Sequence, residues 1–106
     1  ARASGVRMEL RAVALPLYAG AADLAAKGVI SGASAKSRVT LADLVELAPG
    51  IPDWLVDICF DAETSGGILA CVAEDQAAAY EAAFPVDQRP ALVGQVTEGD
   101  AAVVLS

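Results

Sequence analysis

Histidine is absent from this 106-residue sequence, and cysteine occurs only twice. Without histidine, the chain lacks the usual general base for chemistry near neutral pH and the base of a Ser-His type triad. Cys59 and Cys71 lie in apolar surroundings without a Cys-x-x-Cys spacing, so we expect small core residues and neither metal nor redox chemistry. Acid–base chemistry confined to this chain would therefore use Asp or Glu.

Positive charge is scarce as well: seven Lys and Arg stand against fourteen Asp and Glu, for a net charge of −7. A nucleic-acid surface needs clustered Lys and Arg, so we expect no nucleic-acid partner. No apolar run approaches the roughly 20 residues of a membrane span, so we expect no membrane partner. The sequence shows no secretory signal pattern and begins without Met, so we expect a cytoplasmic fragment of a longer chain.

Apolar residues make up 56% of the sequence, which suffices for the core of a single domain over residues 1–106. Residues 6–10 alternate apolar and charged side chains, which predicts a strand with one wet face. Helical spacing after Pro16 predicts a first helix over residues 16–27, ended by Gly28.

A second helix is predicted from Thr40, which begins a capping-box pattern, to about Pro49. Pro52 suits the start of a short third helix. Residues 68–73 are apolar on both faces and too few for a helix, which predicts a buried central strand. A fourth helix is predicted over residues 74–84.

The last apolar segments, ALVGQVTEG and AAVVLS, predict two strands joined by a compact turn at residues 98–100. The whole order is one strand, three helices, a strand, a helix and two strands. We therefore expect an α+β (mixed α/β) fold with helices packed on one side of a mostly antiparallel sheet.

Residues 31–38, SGASAKSR, hold the only local concentration of positive charge in a predicted loop. Lys36 and Arg38 lie there among small and hydroxyl residues, an arrangement that can contact an anion. A flexible, solvated loop is the alternative interpretation of the same segment.

Residues 61–67, DAETSGG, form a polar turn in front of the predicted central strand. Backbone N–H groups near Gly66 and Gly67 can converge on one anion, and Thr64 and Ser65 add hydroxyl donors. The segment is not a P-loop, because it lacks the Lys-Ser/Thr ending and leads into a strand. A tight turn without a ligand is the simpler interpretation.

The segment FDAETSGGILACV resembles the Asp-Pro-Gln-Thr-Ser-Gly-Gly-Leu-Leu signature in the C-terminal domain of selenophosphate synthetase (selenide, water dikinase), a family of the aminoimidazole-ribonucleotide-synthetase-like superfamily. The match lies at Asp61, Thr64, Ser65, Gly66 and Gly67. SGVRMEL, ALPLYAGAADLAAKGVISG and LVGQVTEGDAAVVLS also resemble family segments, the last of them the closing Ile-Gly-x-Val and final hairpin. The resemblance therefore covers nearly the whole chain.

The chain departs from the family pattern in two places. Ala62 and Glu63 replace the Pro and Gln of the signature, and residues 31–37 replace a Pro-Gly-Gly-Thr-x-x-Asn segment. The fold implied by the resemblance is that of the superfamily's C-terminal domain.

The resemblance implies a phosphotransferase of selenium metabolism that converts ATP, selenide and water into selenophosphate, AMP and phosphate. Its N-terminal domain, absent from this chain, would carry the catalytic Cys or selenocysteine and Lys and bind most of the ATP and Mg²⁺. Thr64, Ser65, Gly66 and Gly67 would face the nucleotide. The expected partners are that domain, a small-molecule substrate and, at full length, a second copy of the protein, and the isolated chain is expected to be inactive.

Two other functions stay open. One is a superfamily relative with another small-molecule substrate, such as a thiamine-phosphate-kinase-like enzyme, because the segment at residues 31–38 departs from the family pattern. The other is a non-catalytic binding or oligomerisation module, because the chain has no histidine and no complete nucleotide motif.

Overall fold

The computed structural model describes residues 1–63 and 65–106. Within these residues, eight helices and strands, with short 3₁₀ turns between some of them, make up an α+β domain, as predicted. In chain order they are β1 (Arg7–Leu10), α1 (Ala21–Ala26), α2 (Gly32–Thr40), β2 (Val45–Leu47), α3 (Asp53–Cys59), α4 (Ala77–Ala82), β3 (Gly94–Thr97) and β4 (Ala102–Leu105).

The sheet has four strands in the order β2-β4-β1-β3. β1 runs parallel to β4 and antiparallel to β3, and β2 runs parallel to β4. The prediction of a mostly antiparallel sheet is therefore wrong, because two of the three strand pairs are parallel. The final hairpin does not form either, since β3 and β4 lie on opposite sides of β1.

The alternation predicted for β1 is present in the sheet. Arg7 and Glu9 lie on one face, where Glu9 accepts a 2.7 Å hydrogen bond from the Gln95 side chain. The other face packs on α3 through a core of Val56, Phe60 and Leu105, joined by Leu10, Val45, Ile51 and Cys59. α1 and α2 in turn pack on α3, which thus lies between them and the sheet.

α1 ends where the sequence predicts. Gly28 has a φ of +80°, and its N–H bonds the carbonyl of Ala25 at 2.9 Å. The N–H of Val29 bonds the carbonyl of Leu24 at 3.0 Å, which completes a Schellman motif. The helix begins at Ala21, five residues after the predicted start at Pro16.

The segment predicted as a loop is a helix, and part of the predicted second helix is a strand. Ser31 caps α2, and its side chain accepts a 3.1 Å hydrogen bond from the N–H of Ser34. Thr40 ends this helix instead of capping the next one, because its hydroxyl bonds back to the carbonyl of Lys36 at 2.9 Å. Val45 lies in β2 and packs against the core.

Residues 68–73 do not form the predicted central strand, since they pair with no other strand of the described chain. Ile68 is 93% exposed and Leu69 is 55% exposed. Cys71 is exposed as well, so the prediction of a core position is wrong for it, whereas half-buried Cys59 packs against the core. The predicted fourth helix forms as a 3₁₀ turn followed by α4.

None of the helices in the described part of the chain is long and apolar enough to cross a membrane.

Candidate functional site

A cleft of about 550 Å³ opens beside the N-terminus of α2, and the signature segment lies along its rim. Its polar lining residues include Ser31, Asp57, Asp61 and Glu63. Its apolar lining comes from α1 and the segments on either side of it: Pro16, Leu17, Tyr18, Leu24, Val29 and Ile30. The cleft therefore suits a ligand that has both an apolar and a polar part.

Three of the four predicted site residues can be placed, because Thr64 lies outside the described residues. Gly66 and Gly67 line the cleft, and exposed Ser65 comes directly before them. Neither glycine has a φ in the left-handed range, so the two do not supply the left-handed backbone of an anion nest. That these residues contact a cofactor stays a prediction.

The two glycines of the turn differ in their surroundings. A Cβ atom at residue 66 would lie 2.7 Å from the Cβ of Glu63, closer than real side chains pack. A Cβ atom at residue 67 would meet no atom within 4 Å. Gly66 is thus constrained by its own chain, whereas the space beside Gly67 is open to a ligand.

Asp61 opens the signature segment and has two hydrogen-bond donors on one oxygen. Its Oδ1 accepts from the hydroxyl of Ser31 and, at 3.0 Å, from the backbone N–H of Ala62. The second contact joins neighbouring residues within the segment. The first contact ties the start of the turn to the N-terminus of α2.

Two side chains of α2, Ser34 and Arg38, join it to α3. The buried Ser34 hydroxyl donates to the backbone carbonyl of Asp57 at 2.5 Å. The Arg38 guanidinium donates to the carboxylates of Asp57 at 2.9 Å and Asp53 at 2.8 Å. Hydrogen bonds to Asp53 and then Asp57 raise the pKa of Arg38 above its ordinary value. Arg38 is therefore engaged in ion pairs within the domain.

Ser31, Ser34 and Asp57 are cleft residues that the sequence analysis does not single out. Ser31, Ser34 and Arg38 recur at steps of three and four residues, which places them on one face of a helix. This spacing could have predicted a helix, but the high Ser and Gly content of the segment favoured a loop.

The polar side of the cleft is acidic, and no Lys or Arg is among its described lining residues. Direct binding of a bare phosphate at this rim would bring like charges together, so the rim suits a phosphate that carries a divalent cation. No group of three or more Asp, Glu, Cys or His residues able to hold a metal occurs within residues 1–63 and 65–106.

No protein-family model matches the chain. Selenide, water dikinase of Nitratidesulfovibrio vulgaris (strain Miyazaki F) is 43% identical over 76 residues, which are 72% of this chain and 22% of that protein. The enzyme of the same name from Burkholderia pseudomallei is 34% identical over 108 residues, 100% of this chain and 30% of that protein. The chain belongs to the selenide, water dikinase family. Its relative in Rhizobium meliloti is 38% identical over 79 residues, 74% of this chain and 23% of that protein.

The chain spans less than a third of the length of these selenide, water dikinases. Their names identify the whole relatives as kinases of selenide and water. Within this chain, Asp61, Gly66 and Gly67 of the segment that resembles the family signature line the cleft.

Proposed function

We propose that this chain is the C-terminal part of an ATP-dependent selenophosphate synthetase. The complete enzyme would convert ATP, selenide and water into selenophosphate, AMP and phosphate. One observation carries the proposal: the segment that resembles the family signature lies along the rim of a cleft in a chain whose relatives are selenide, water dikinases.

In this proposal the N-terminal domain of the same polypeptide binds most of the ATP and Mg²⁺, and this chain closes over the nucleotide. Thr64, Ser65, Gly66 and Gly67 would face the phosphates. Mg²⁺, when bound, would neutralise the charge that phosphoryl transfer develops. Asp61 and Glu63 would repel a nucleotide without metal more strongly than one whose phosphate charge is partly neutralised by Mg²⁺.

The exposed apolar side chains of Ile68 and Leu69 support a partner domain in the same polypeptide. An apolar segment of this kind gains stability when another surface covers it. The proposal extends to a cytoplasmic enzyme that forms homodimers at full length.

Substitution of the two signature glycines offers a direct test in the full-length protein. Gly67→Ala places a methyl group in open space, and the backbone at this position has a conformation that alanine also adopts, so we expect normal folding. If a phosphate approaches this backbone, the methyl group should raise the KM for ATP about tenfold. Gly66→Ala is the comparison, because it crowds Glu63 even without a ligand and should also lower the melting temperature. Unchanged ATP affinity in both Gly67→Ala and Ser65→Ala would count against a nucleotide-facing turn.

The reaction itself is tested by phosphorus NMR of the full-length protein with ATP and Mg²⁺, with and without selenide under reducing conditions. AMP and a selenophosphate signal that both depend on selenide are the expected result. ADP formed with another acceptor would indicate a kinase of a different small molecule. Complete absence of turnover would favour the binding module.

A further inference from the structure

We propose that Ser31 is a positioning residue that holds the signature turn at the rim of the cleft. The inference rests on the proposed function for its effect on ATP, but its structural part can be tested without turnover. The observation behind it is a single hydroxyl group that joins two elements: the N-terminus of α2 and the start of the signature segment.

The Ser31 hydroxyl acts as donor and acceptor at once. Its oxygen accepts the N–H of Ser34, which satisfies one of the unpaired donors at the start of α2. Its proton is donated to Oδ1 of Asp61. Because a hydroxyl has one proton and two lone pairs, the two roles are compatible and fix the direction of the O–H bond.

α2 is a firm support for this contact. Ser34 is only 1% exposed and is bonded to the backbone of α3, and Arg38 binds two carboxylates of α3 one turn further along. Contacts from two positions on one face of α2 therefore hold it against α3, and Ser31 lies on the same face at the end nearest the cleft.

The signature turn has few other attachments. Residues 61–63 and 65–67 are exposed, and Asp61 follows the last residue of α3 by two positions. The Ser31–Asp61 hydrogen bond is the side-chain contact that ties this exposed segment to the helices among the described residues. Its loss would let the turn move away from the cleft while both helices remained in place.

Three substitutions at one position separate this role from helix capping in the full-length protein. Ser31→Ala removes both hydrogen bonds. Ser31→Gly also removes both but keeps most of the N-cap preference, so the helix should remain folded. Ser31→Thr retains the hydroxyl and should keep both hydrogen bonds, so this variant should behave like the wild type. Ser37→Ala is the matched control, because this α2 serine makes no side-chain hydrogen bond among the described residues.

Amide hydrogen exchange without nucleotide tests the structural part. In Ser31→Ala and Ser31→Gly we expect faster exchange in the peptide that covers residues 61–67, with protection of α3 unchanged. Ser31→Thr and Ser37→Ala should match the wild type. Exchange at residues 61–67 that is identical in all four variants would overturn the proposal, whatever the enzyme does.

Steady-state kinetics with ATP and selenide test the consequence. We expect the KM for ATP to rise about fivefold in Ser31→Ala and Ser31→Gly, the size of one net hydrogen bond, with a smaller change in kcat and rescue in Ser31→Thr. An unchanged KM together with faster exchange would overturn the link to ATP. A wild type without selenide-dependent turnover would instead refute the proposed function, and the exchange result would still decide the role of Ser31.

Discussion

Arg38 on α2 and Asp57 on α3 form a 2.9 Å ion pair in which the Asp57 side chain is only 18% exposed. The same guanidinium also contacts Asp53, whose side chain is 87% exposed, at 2.8 Å. Two ion pairs of similar length thus share one cation but differ in their contact with water. Solvent screening weakens the Asp53 pair more than the Asp57 pair, although hydrogen bonding to Asp53 is the larger influence on the pKa of Arg38.

Double-mutant cycles should therefore give unequal coupling energies. We expect about 1 kcal/mol for Arg38→Met with Asp57→Asn and less than about 0.5 kcal/mol for Arg38→Met with Asp53→Asn. Urea unfolding of each variant supplies the free energies, and Lys36→Met, an exposed position on α2, is the control for charge loss. Equal coupling in the two cycles would show that burial of Asp57 does not decide the strength of the pair.

Gly94→Ala should destabilise the sheet. β3 approaches β1 so closely here that a Cβ atom at residue 94 would lie 3.0 Å from the Cα of Leu10 and overlap the carbonyl oxygen of Glu9. Both obstacles are backbone atoms, so the strands must separate, and we expect a loss of about 1–3 kcal/mol in the free energy of unfolding. Gly32→Ala, with open space around residue 32, is the matched control in thermal unfolding. A Gly94→Ala variant as stable as that control would contradict the close approach of β3 to β1.

The two cysteines should differ in reactivity toward a thiol reagent. Burial raises the pKa of the Cys59 thiol, so less thiolate is present at a given pH, whereas Cys71 is exposed. We expect Cys71 to react several-fold faster at pH 8, and alkylation of Cys59 to require a higher pH than that of a free thiol. Mass spectrometry of the Cys59→Ala and Cys71→Ala variants measures the alkylation rate of the one cysteine that remains in each. A faster reaction at Cys59 would mean that its burial is not maintained in solution.

Arg7 and Glu46 provide a pH-dependent link across the sheet. Arg7 lies on β1 and Glu46 on β2, with β4 between them, and Nη1 of the guanidinium donates to Oε1 of Glu46 at 3.1 Å. This hydrogen bond is the main reason that the pKa of Glu46 is lowered. A lowered pKa means that the folded state binds the proton more weakly, so the stabilisation is present above the ordinary pKa of glutamate and is lost as the pH falls through the lowered value.

Carbon-13 NMR titration of the Glu46 carboxyl group checks this link. Arg7→Met should raise the Glu46 pKa back toward its ordinary value, and added salt should shift the wild type in the same direction because the pair is exposed. Arg2→Met, which removes a charge elsewhere in the chain, is the control. A Glu46 pKa that does not respond to Arg7→Met would exclude the ion pair in solution.

Local sequence patterns predicted those elements whose residues carry their own signals. The alternation in β1 and the glycine after α1 needed no distant contact to be interpreted correctly. The third helix begins one residue after Pro52, as the N-terminal preference of proline suggests.

Long-range pairing decided the elements that were predicted wrongly. The apolar spacing around Val45 fits a helix as well as a strand, and hydrogen bonding to β4 makes it a strand. The segment at residues 31–38 mixes Ser and Gly with the helix formers Ala, Lys and Arg, and its bonds from Ser34 and Arg38 to α3 support the helix. Residues 68–73 have a strand composition but no neighbouring strand in the described chain.

By itself, the sequence determined the alternation of side chains between the two faces of β1, the end of α1, the start of α3, the scarcity of positive charge and the family signature from Asp61 to Gly67. Only the tertiary structure decided that β1 lies between β3 and β4, that Ser31 reaches Asp61 and that the signature borders a cleft. The physical reason is the range of the forces. Caps and side-chain periodicity act within a few residues, whereas strand order and cleft walls depend on which distant segments satisfy one another's hydrogen bonds and bury one another's apolar faces.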